Sequence, residues 1–400
     1  MIPTTELPMS QERKTDIAAR LFAHIANRTT DYAPATMTIE PRIYHDPEIA
    51  RRERHEIFSR SPIVAAHGSE LPMPNDFVTA QLPNNEAIVI RQGDGSVRAF
   101  VNTCRHRGAR LVDETKGTKR LLACSYHGWT YENNGELRSI LGGAEAFGVT
   151  DMTCLGLAEL PAEERHGLVW VVDSPDASID IETWLGPEMD ASLASYDLDT
   201  YHCDRVGDFD EPINWKALMD AFLDAYHLAT THAGSVAPYF YNNVQLFEPL
   251  GQHGRTISPR KNIDRIRHLP PGQEPIDRHV TVAHYFMPNM TLLRQPDHFE
   301  LLNFLPDPRD PGRCHMQMRI LVKEPATTPE EHAHWDKNWD ILMAVLRDED
   351  LILNRGLQRS VQNHSAQPLI LGRNEIVNQY FHAWLHRALN QALNQPTGQG

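Results

Sequence analysis

Short β-type hydrophobic runs separated by turn sequences occupy the chain from about residue 61 to residue 177. Glycine-rich and asparagine-rich turns such as Gly93-Asp94-Gly95 lie between the runs. This spacing predicts a small antiparallel β domain. The predicted strands are Ile63–Ala66, Ala87–Arg91, Val97–Val101, Leu121–Ala123, Trp129–Tyr131 and Leu168–Val172.

Helical periodicity flanks this β segment on both sides. We predict helices near Asp16–Ala26 and over Asp46–Arg60, a β-like region over about 203–322, and a long helical region from about Pro329 to Asn394. This order predicts an α+β protein. The predicted domains are a helical segment at 1–60, a β domain at 61–177 and an α+β domain at 178–400.

Composition and charge narrow the class of protein. A net charge of −15 argues against nucleic acid as a partner. Apolar runs such as Leu168–Val172 are far shorter than the roughly 20 residues of a membrane span, and no signal-peptide pattern begins the chain. Cys154, Cys203 and Cys314 are isolated in sequence, which does not indicate a disulfide framework. We therefore expect a cytoplasmic protein.

Two cysteine–histidine pairs stand twenty residues apart in the β segment. Cys104 and His106 form the first pair, and Cys124 and His127 form the second. Two thiolates on one iron and two imidazoles on the other make a Rieske [2Fe–2S] centre. A zinc site with the same four ligands is a second interpretation. A third is that they are ordinary core cysteines and surface histidines.

A second candidate metal site lies within Asn214–His232. Asp220, Asp224 and His227 follow one another at spacings of four and three residues, which predicts one polar stripe on a helix. His232 lies about 140° farther round an ideal helix, so both imidazoles reach one ion only if the helix distorts or ends. We predict the break at the β-branched Thr230 and Thr231.

A carboxylate ligand for this site is expected from Asp348, Glu349 or Asp350 in the C-terminal helical region. Helical phase points Asp348 away from the predicted buried face and leaves Glu349 and Asp350 as alternatives. That predicted face consists of Leu342, Leu346, Leu353 and Leu357.

The two motifs together resemble the large subunit of the Rieske non-heme iron oxygenases, and the resemblance covers most of the chain. It implies a helix-grip catalytic domain in which His227, His232 and Asp350 bind mononuclear Fe(II). Asp350 is preferred because the family has an acidic pair followed eight residues later by Gln, here Gln358.

The resemblance also implies a homotrimer in which one subunit's cluster faces its neighbour's iron. Asp224 would be catalytic by joining His227 to a cluster histidine of the neighbour, either His127 or His106. Whether the trimer also contains a small β subunit is left open.

The implied function is the terminal oxygenase component of a multicomponent system that hydroxylates an aromatic or other hydrophobic compound. A monooxygenase or demethylase for methoxy, N-methyl or quaternary-amine substrates is the alternative, and an electron carrier without oxygenase activity is a third. No dinucleotide-binding fingerprint is present, so electrons should come from a ferredoxin or flavin reductase. The two loops that carry the cysteine–histidine pairs, here called the cluster loops, contain several basic residues. These form either a patch that attracts an acidic electron donor or an ordinary solvated turn.

The substrate cavity is expected to be apolar and to be lined by the iron-site helix and three further segments. The alternative is that these segments are ordinary sheet core. A carboxylate on the substrate would be bound by Arg255, Arg260 or Arg294. The three segments are Pro238–Phe247, His284–Leu293 and Phe299–Phe304.

Overall fold

A computed structural model describes residues 7, 9–148, 151–270, 272–273 and 275–393. The chain divides into two compact units. The smaller, the β unit, consists of Arg54–Trp184 and Asp197–Tyr201. The larger, the α+β unit, consists of Met1–Glu53, Leu185–Tyr196 and His202–Gly400.

Helices were predicted in the correct regions, with some errors in extent. The helix predicted near Asp16–Ala26 begins earlier, at Gln11, and Ser10 caps its N-terminus. No helix in the described part of the chain is long and apolar enough to cross a membrane. The α-helices are α1 Gln11–Asn27, α2 Pro47–Arg52, α3 Ile181–Ala194, α4 Trp215–Leu223, α5 Leu228–Thr231, α6 Pro329–Ala344, α7 Leu351–Val361 and α8 Ile376–Leu393.

Strands are concentrated in the two regions that the sequence predicted. Val97–Val101, Leu121–Ala123 and Leu168–Val172 have the predicted bounds, and the others differ by one or two residues. The strands of the β unit are β2 Pro62–His67, β3 Asp76–Gln81, β4 Glu86–Arg91, β5 Val97–Val101, β6 Lys116–Thr118, β7 Leu121–Ala123, β8 Thr130–Glu132, β9 Leu137–Ser139, β10 Glu159–Leu160, β11 Ala162–Arg165 and β12 Leu168–Val172. Those of the α+β unit are β1 Met37–Ile39, β13 His202–Glu211, β14 Leu246–Leu250, β15 His253–Pro259, β16 Val280–Phe286, β17 Met290–Arg294, β18 His298–Pro306, β19 Cys314–Val322 and β20 Leu369–Leu371.

The β unit is built from three small antiparallel sheets. Their strand orders are β10-β5-β4-β3-β6, β11-β12-β2 and β7-β8-β9. Phe77, Phe100, Trp129 and Tyr131 belong to one buried core together with both motif cysteines. The cluster loops are therefore anchored by the apolar residues that hold the sheets together.

A seven-stranded antiparallel sheet, in the order β13-β19-β18-β17-β16-β15-β14, dominates the α+β unit. Helix α4 lies against it and is fixed at its start by a buried ion pair. Lys216 Nζ lies 2.7 and 2.8 Å from the carboxylate oxygens of Glu53, which also accepts from Trp215 Nε1 at 3.1 Å. Burial lowers the pKa of Lys216 although Glu53 opposes this shift. Removing one partner of such a pair typically costs about 3–5 kcal/mol, so α4 has little freedom at this end.

The C-terminal helical region differs from its prediction in two ways. A π-helical segment, Val345–Asp350, joins α6 to α7, and a non-helical stretch with β20 separates α7 from α8. One continuous helix from Pro329 is therefore wrong beyond Val361, and Asn394 lies outside the described residues. The α+β class, with antiparallel sheets and helices, is confirmed.

The π-helical segment also changes which residues are buried. Leu342 and Leu346 are buried as predicted, but Leu353 and Leu357 are 56% and 40% exposed. A π-turn inserts one extra residue into the helical repeat, so the buried positions after it move forward by one. Asn354 and Gln358 occupy the buried face instead.

Candidate metal centres and cavity

The sequence between Leu223 and His232 breaks the predicted helix earlier than expected. Helix α4 ends at Leu223, and Asp224 is extended, with φ −113° and ψ 154°. Asp224 Oδ1 accepts from the backbone N–H groups of Tyr226 and His227, at 2.6 and 3.0 Å, and so begins a new turn. The prediction of one helical stripe through His227 is therefore wrong, as is the break at Thr230 and Thr231, because both lie inside α5.

This early break brings three side chains together. The Nε2 atoms of His227 and His232 are 3.2 Å apart, and Asp350 Oδ1 lies 3.2 Å from His232 Nε2 and 3.9 Å from His227 Nε2. Ligand bonds of about 2.1 Å on an octahedral ion put neighbouring donor atoms roughly 3 Å apart. Two imidazoles and one carboxylate on one face are the donor set of non-heme Fe(II) sites.

Each imidazole is held in the orientation that a metal ligand needs. His227 Nδ1 lies 3.1 Å from Asp224 Oδ1, and His232 Nδ1 lies 2.6 Å from Glu349 Oε2. A proton on each Nδ1 satisfies these carboxylates and leaves the Nε2 lone pair facing Asp350. Burial lowers the pKa of His232, but Asp350 and Glu349 outweigh it and raise the pKa overall.

The remaining acidic candidates have other surroundings. Glu349 also accepts from Ser235 Oγ at 2.6 Å, so it supports His232 from the side opposite Asp350. Asp348 is exposed. Asp220 is hydrogen-bonded to Tyr44 Oη at 2.7 Å and His382 Nε2 at 2.9 Å. Of these carboxylates, only Asp350 joins the two Nε2 atoms.

The two cluster loops in the β unit have the same backbone design. The N–H of Gly108 donates to Cys104 O at 3.0 Å, and the N–H of Gly128 donates to Cys124 O at 2.9 Å. Both glycines have positive φ, 73° and 67°, which a residue with a Cβ rarely adopts. These turns present Cys104, His106, Cys124 and His127 to one region, with the two imidazole centroids 4.6 Å apart.

The donor set in these loops fits a [2Fe–2S] cluster. Both thiols are buried and neither is in a disulfide. Burial raises the pKa of the Cys104 thiol, and Tyr131 Oη lies 3.3 Å from its sulfur. His106 Nδ1 is buried without a hydrogen-bond partner within the described chain, as expected of an atom that ligates iron.

A cavity of about 480 Å³ opens beside the His227–His232–Asp350 group. Tyr239, Phe240, Tyr285 and Leu293 line it, as the sequence suggested for their segments. The segment Phe299–Phe304 contributes Glu300 to the lining, whereas Phe299 and Phe304 themselves are buried in the sheet. The prediction did not include Lys337, Ile341 and other lining residues of α6. It also did not include a cluster of polar residues that lines one end of the cavity.

The three candidate arginines have different environments. Arg255 is paired with Glu248, with Nη2 to Oε2 at 2.5 Å. Arg294 is fully buried and donates to Asp277 O at 2.6 Å. Arg260 lines the cavity. Only Arg260 of the three is positioned to meet a ligand there.

Two family profiles match adjacent parts of the chain. The Rieske [2Fe-2S] domain matches residues 61–146. The catalytic domain of the ring hydroxylating alpha subunit matches residues 194–391. The two candidate metal centres described above lie one in each matched region.

Curated relatives are large oxygenase components of bacterial dioxygenase systems. The chain is 38% identical over 224 residues to the large oxygenase component of the naphthalene 1,2-dioxygenase system of Ralstonia sp.. The match covers 54% of this chain and 48% of the relative. It is 38% identical over 209 residues to that of the 2,4-dinitrotoluene dioxygenase system of Burkholderia sp. (strain RASC), covering 50% and 45%. The matched region thus spans about half the length of these relatives.

Solved structures share the fold over nearly the whole chain. The quaternary ammonium Rieske monooxygenase CntA has a TM-score of 0.75 at 21% identity, over 94% of this chain and 98% of that one. Naphthalene 1,2-dioxygenase from Rhodococcus sp. has a TM-score of 0.72 at 21% identity, over 94% and 98%. With its Rieske [2Fe–2S] domain, its mononuclear iron domain and these relatives, the chain belongs to the Rieske ring-hydroxylating oxygenase large-subunit family.

Proposed function

We propose that this protein is the terminal oxygenase component of a multicomponent Rieske oxygenase acting on an aromatic compound. The observation that carries the proposal is the convergence of His227 Nε2, His232 Nε2 and Asp350 on one point beside a cavity of about 480 Å³. An electron carrier has no need of a second metal site that opens into a ligand-sized cavity. The curated relatives named above support aromatic substrates.

The proposed ligands follow from the geometry of the two centres. Cys104 and Cys124 hold one iron of the cluster, and His106 and His127 hold the other. His227, His232 and Asp350 hold the mononuclear iron. When bound, these groups supply one-electron reduction and the activation of O2. Asp224 and Glu349 fix the two imidazole rings.

The same assignment predicts different effects for two neighbouring carboxylates. Asp350→Ala should abolish binding of the third iron, because it removes a ligand. Glu349→Ala should retain the site but weaken iron affinity about 10- to 100-fold, because it removes only the partner of His232 Nδ1. Iron and sulfide analysis after dialysis against a graded chelator measures both effects. The wild type should hold three irons and two sulfides per chain, and two irons would identify an electron carrier.

A homotrimer is proposed from the family resemblance, with Asp224 as the link between subunits. The solved structure of a quaternary ammonium Rieske monooxygenase, described in terms of inter-subunit electron transfer, shares the fold with a TM-score of 0.73 at 20% identity. Asp224 Oδ1 is occupied by His227 and two backbone N–H groups, but Oδ2 has no hydrogen bond within the described residues. We assign Oδ2 to a cluster histidine of the neighbouring subunit, His127 or His106.

Asp224→Asn tests this role. The variant should keep its iron and a reducible cluster yet lose most product formation, because an amide is a weaker acceptor for two imidazole N–H groups than a carboxylate. Single-turnover oxidation of a pre-reduced cluster by O2 and substrate is the measurement. Oxidation at the wild-type rate would disprove the bridging role, and Asp220→Asn, four residues earlier in α4, provides a control.

The electron donor is proposed to be an acidic ferredoxin or a flavin reductase. Arg110 and Lys119 pair with Glu86 and Glu114. Other cluster-loop cations lack a carboxylate partner within the described residues, and these are Arg105, Arg107, Lys116 and Arg120. Their charge gives the cluster loops a net positive field on an acidic protein. The cytoplasmic location and a β subunit stay predictions.

Cluster reduction by such a donor should slow as salt increases, because attraction between exposed charges is screened over about 8–10 Å at physiological ionic strength. Stopped-flow bleaching of the cluster from low to high salt measures this. Replacing Arg105 and Lys116 by Gln should flatten the dependence, whereas replacing the paired Arg110 should change it less. A wild-type rate that is constant with salt would assign these side chains to a solvated turn.

The alternative function is a monooxygenase or demethylase acting on a methoxy, N-methyl or quaternary-amine substrate. The overall fold similarity to a quaternary ammonium monooxygenase favours it. Both functions use the same iron site, so the cavity decides between them.

A further inference from the structure

The cavity has a chemically distinct end that is remote from the metal-binding group. Every second residue along part of β16 lines the floor of the cavity, and these residues are Thr281, Ala283 and Tyr285. Tyr285 Oη lies 3.3 Å from the carbonyl of Phe222 in α4, which places it near the metal site. Thr281 is four residues away along the strand, a separation of about 13 Å. The far end is therefore separated from the iron ligands by roughly the length of a two-ring or arylalkyl molecule.

Two cross-strand rows show how the lining changes along this path. The first row pairs Ala283 with Thr256 and Leu293, so it has an apolar centre. The next row pairs Thr281 with Ser258, and Thr281 Oγ1 also donates to Oε1 of Gln295, the residue after β17, at 3.3 Å. The floor of the cavity thus becomes more polar with distance from the metal site.

Arg260 is the cation at this polar end. Its Nη2 donates to Gln295 Oε1 at 2.8 Å and its Nε donates to Thr281 Oγ1 at 3.3 Å, and its guanidinium lies 5.0 Å from the centroid of the Phe240 ring. Both hydrogen-bond acceptors are neutral. No carboxylate in the described part of the chain lies within ion-pair distance of Arg260, and Nη1 has no hydrogen-bond partner there. Burial lowers the pKa of Arg260, and Glu300 and Asp297 oppose this shift only from beyond ion-pair distance. A half-buried guanidinium without a direct ion pair is unusual, because burial of charge is costly unless it is paired.

The acidic groups at this end already have histidine partners. Asp297 accepts from His298 Nδ1 at 2.7 Å and from His334 Nε2 at 2.9 Å. Glu300 lies 3.2 Å from His298 Nε2. Burial lowers the pKa of His298, but Asp297 and Glu300 outweigh it and raise the pKa to about 9, so the imidazole is charged at neutral pH.

The cations at this end balance its carboxylates, so no negative charge is left over for a cationic substrate. Asp297 and Glu300 carry two negative charges, while Arg260 and His298 carry two positive charges. Lys337 of α6 adds a further positive charge to the cavity lining. A cationic substrate would meet carboxylates that are already occupied. A carboxylate would bring the missing counter-ion to Arg260, whose planar guanidinium matches it in a bidentate geometry.

We propose that the substrate of this protein is an aromatic carboxylic acid whose carboxylate binds Arg260, at the end of the cavity opposite the carbon that reacts at the iron site. This inference rests on the proposed oxygenase function and narrows its substrate class. Arg260 is assigned to substrate binding, with Gln295 and Thr281 orienting its guanidinium.

Equilibrium binding to the holoprotein without O2 or reductant tests the inference separately from turnover. The probes are 3-phenylpropanoate, its primary amide, which has nearly the same shape but no charge, and benzyltrimethylammonium. By isothermal titration calorimetry the acid should bind the wild type about 10- to 100-fold more tightly than the amide, as a charge-assisted hydrogen-bonded pair implies. An amide or ammonium probe that binds as tightly as the acid, or an acid that does not bind, would overturn the inference.

Variants locate the binding to Arg260. Arg260→Gln should remove the preference for the acid, and Arg260→Lys should restore part of it, because lysine keeps the charge without the bidentate fork. Arg309→Gln, an exposed arginine outside the cavity lining, is the matched control and should leave the preference unchanged. Equal loss in both Gln variants, or none in Arg260→Gln, would contradict the assignment. The acid-versus-amide comparison in the wild type keeps the test decisive even if Arg260→Gln does not fold.

The two proposals fail in different ways. If the acid binds through Arg260 but no product forms with O2 and electrons, the oxygenase function fails and the carboxylate site stands. If aromatic acids are hydroxylated with the same kcat/KM by the wild type and Arg260→Gln, the carboxylate site fails and the oxygenase function stands.

Discussion

Two imidazoles five residues apart must present their Nε2 atoms to one point, and the surrounding structure is arranged around that requirement. A continuous helix would direct His227 and His232 about 140° apart. Asp224 removes the conflict by ending α4 and by accepting the backbone N–H groups that begin the next turn. The same carboxylate then fixes the His227 ring through Nδ1. One aspartate thus shapes the backbone and orients a proposed metal ligand.

The third donor depends on a similar departure from regular structure. The π-helical segment Val345–Asp350 carries Asp350 at its end, and Asp350 is buried beside the two Nε2 atoms while Glu349 reaches His232 Nδ1. Adjacent carboxylates therefore contact different histidine nitrogens. The buried Gln358, eight residues after Asp350, accepts a hydrogen bond from the N–H of Asn214 at 2.9 Å. This bond connects α7 to the start of α4. Both ligand-bearing segments are held in register by this contact.

Much of this arrangement could be predicted from the sequence, and the errors have physical causes. Six strands of the β unit were predicted well because each has a short hydrophobic run bounded by turn residues. The sequence analysis did not predict β3, β6, β9, β10 and β11. The end of α4 was missed because Ala225, Tyr226 and Leu228 are compatible with a helix, and only the capping by Asp224 breaks it. Leu353 and Leu357 were assigned to the buried face because a π-turn leaves no signal in hydrophobic periodicity.

The polar end of the cavity was missed for another reason. Arg260 follows β15, whereas Gln295 and His298 lie where β17 turns into β18, and only the strand register of the folded sheet brings Arg260 to them. In sequence, Arg260 resembled Arg255 and Arg294, and their partners distinguish them in the structure. Pairing across a sheet therefore carries information on substrate class that a single sequence does not.

Incorporation of oxygen from 18O2 into an aromatic acid, with a reduced donor present, measures the central claim most directly. The account predicts labelled product from the wild type in proportion to the electrons supplied, and none from Asp350→Ala although its cluster is still reduced. A protein that holds three irons and cycles its cluster, yet transfers no labelled oxygen to acidic, neutral or cationic aromatic compounds, would contradict it.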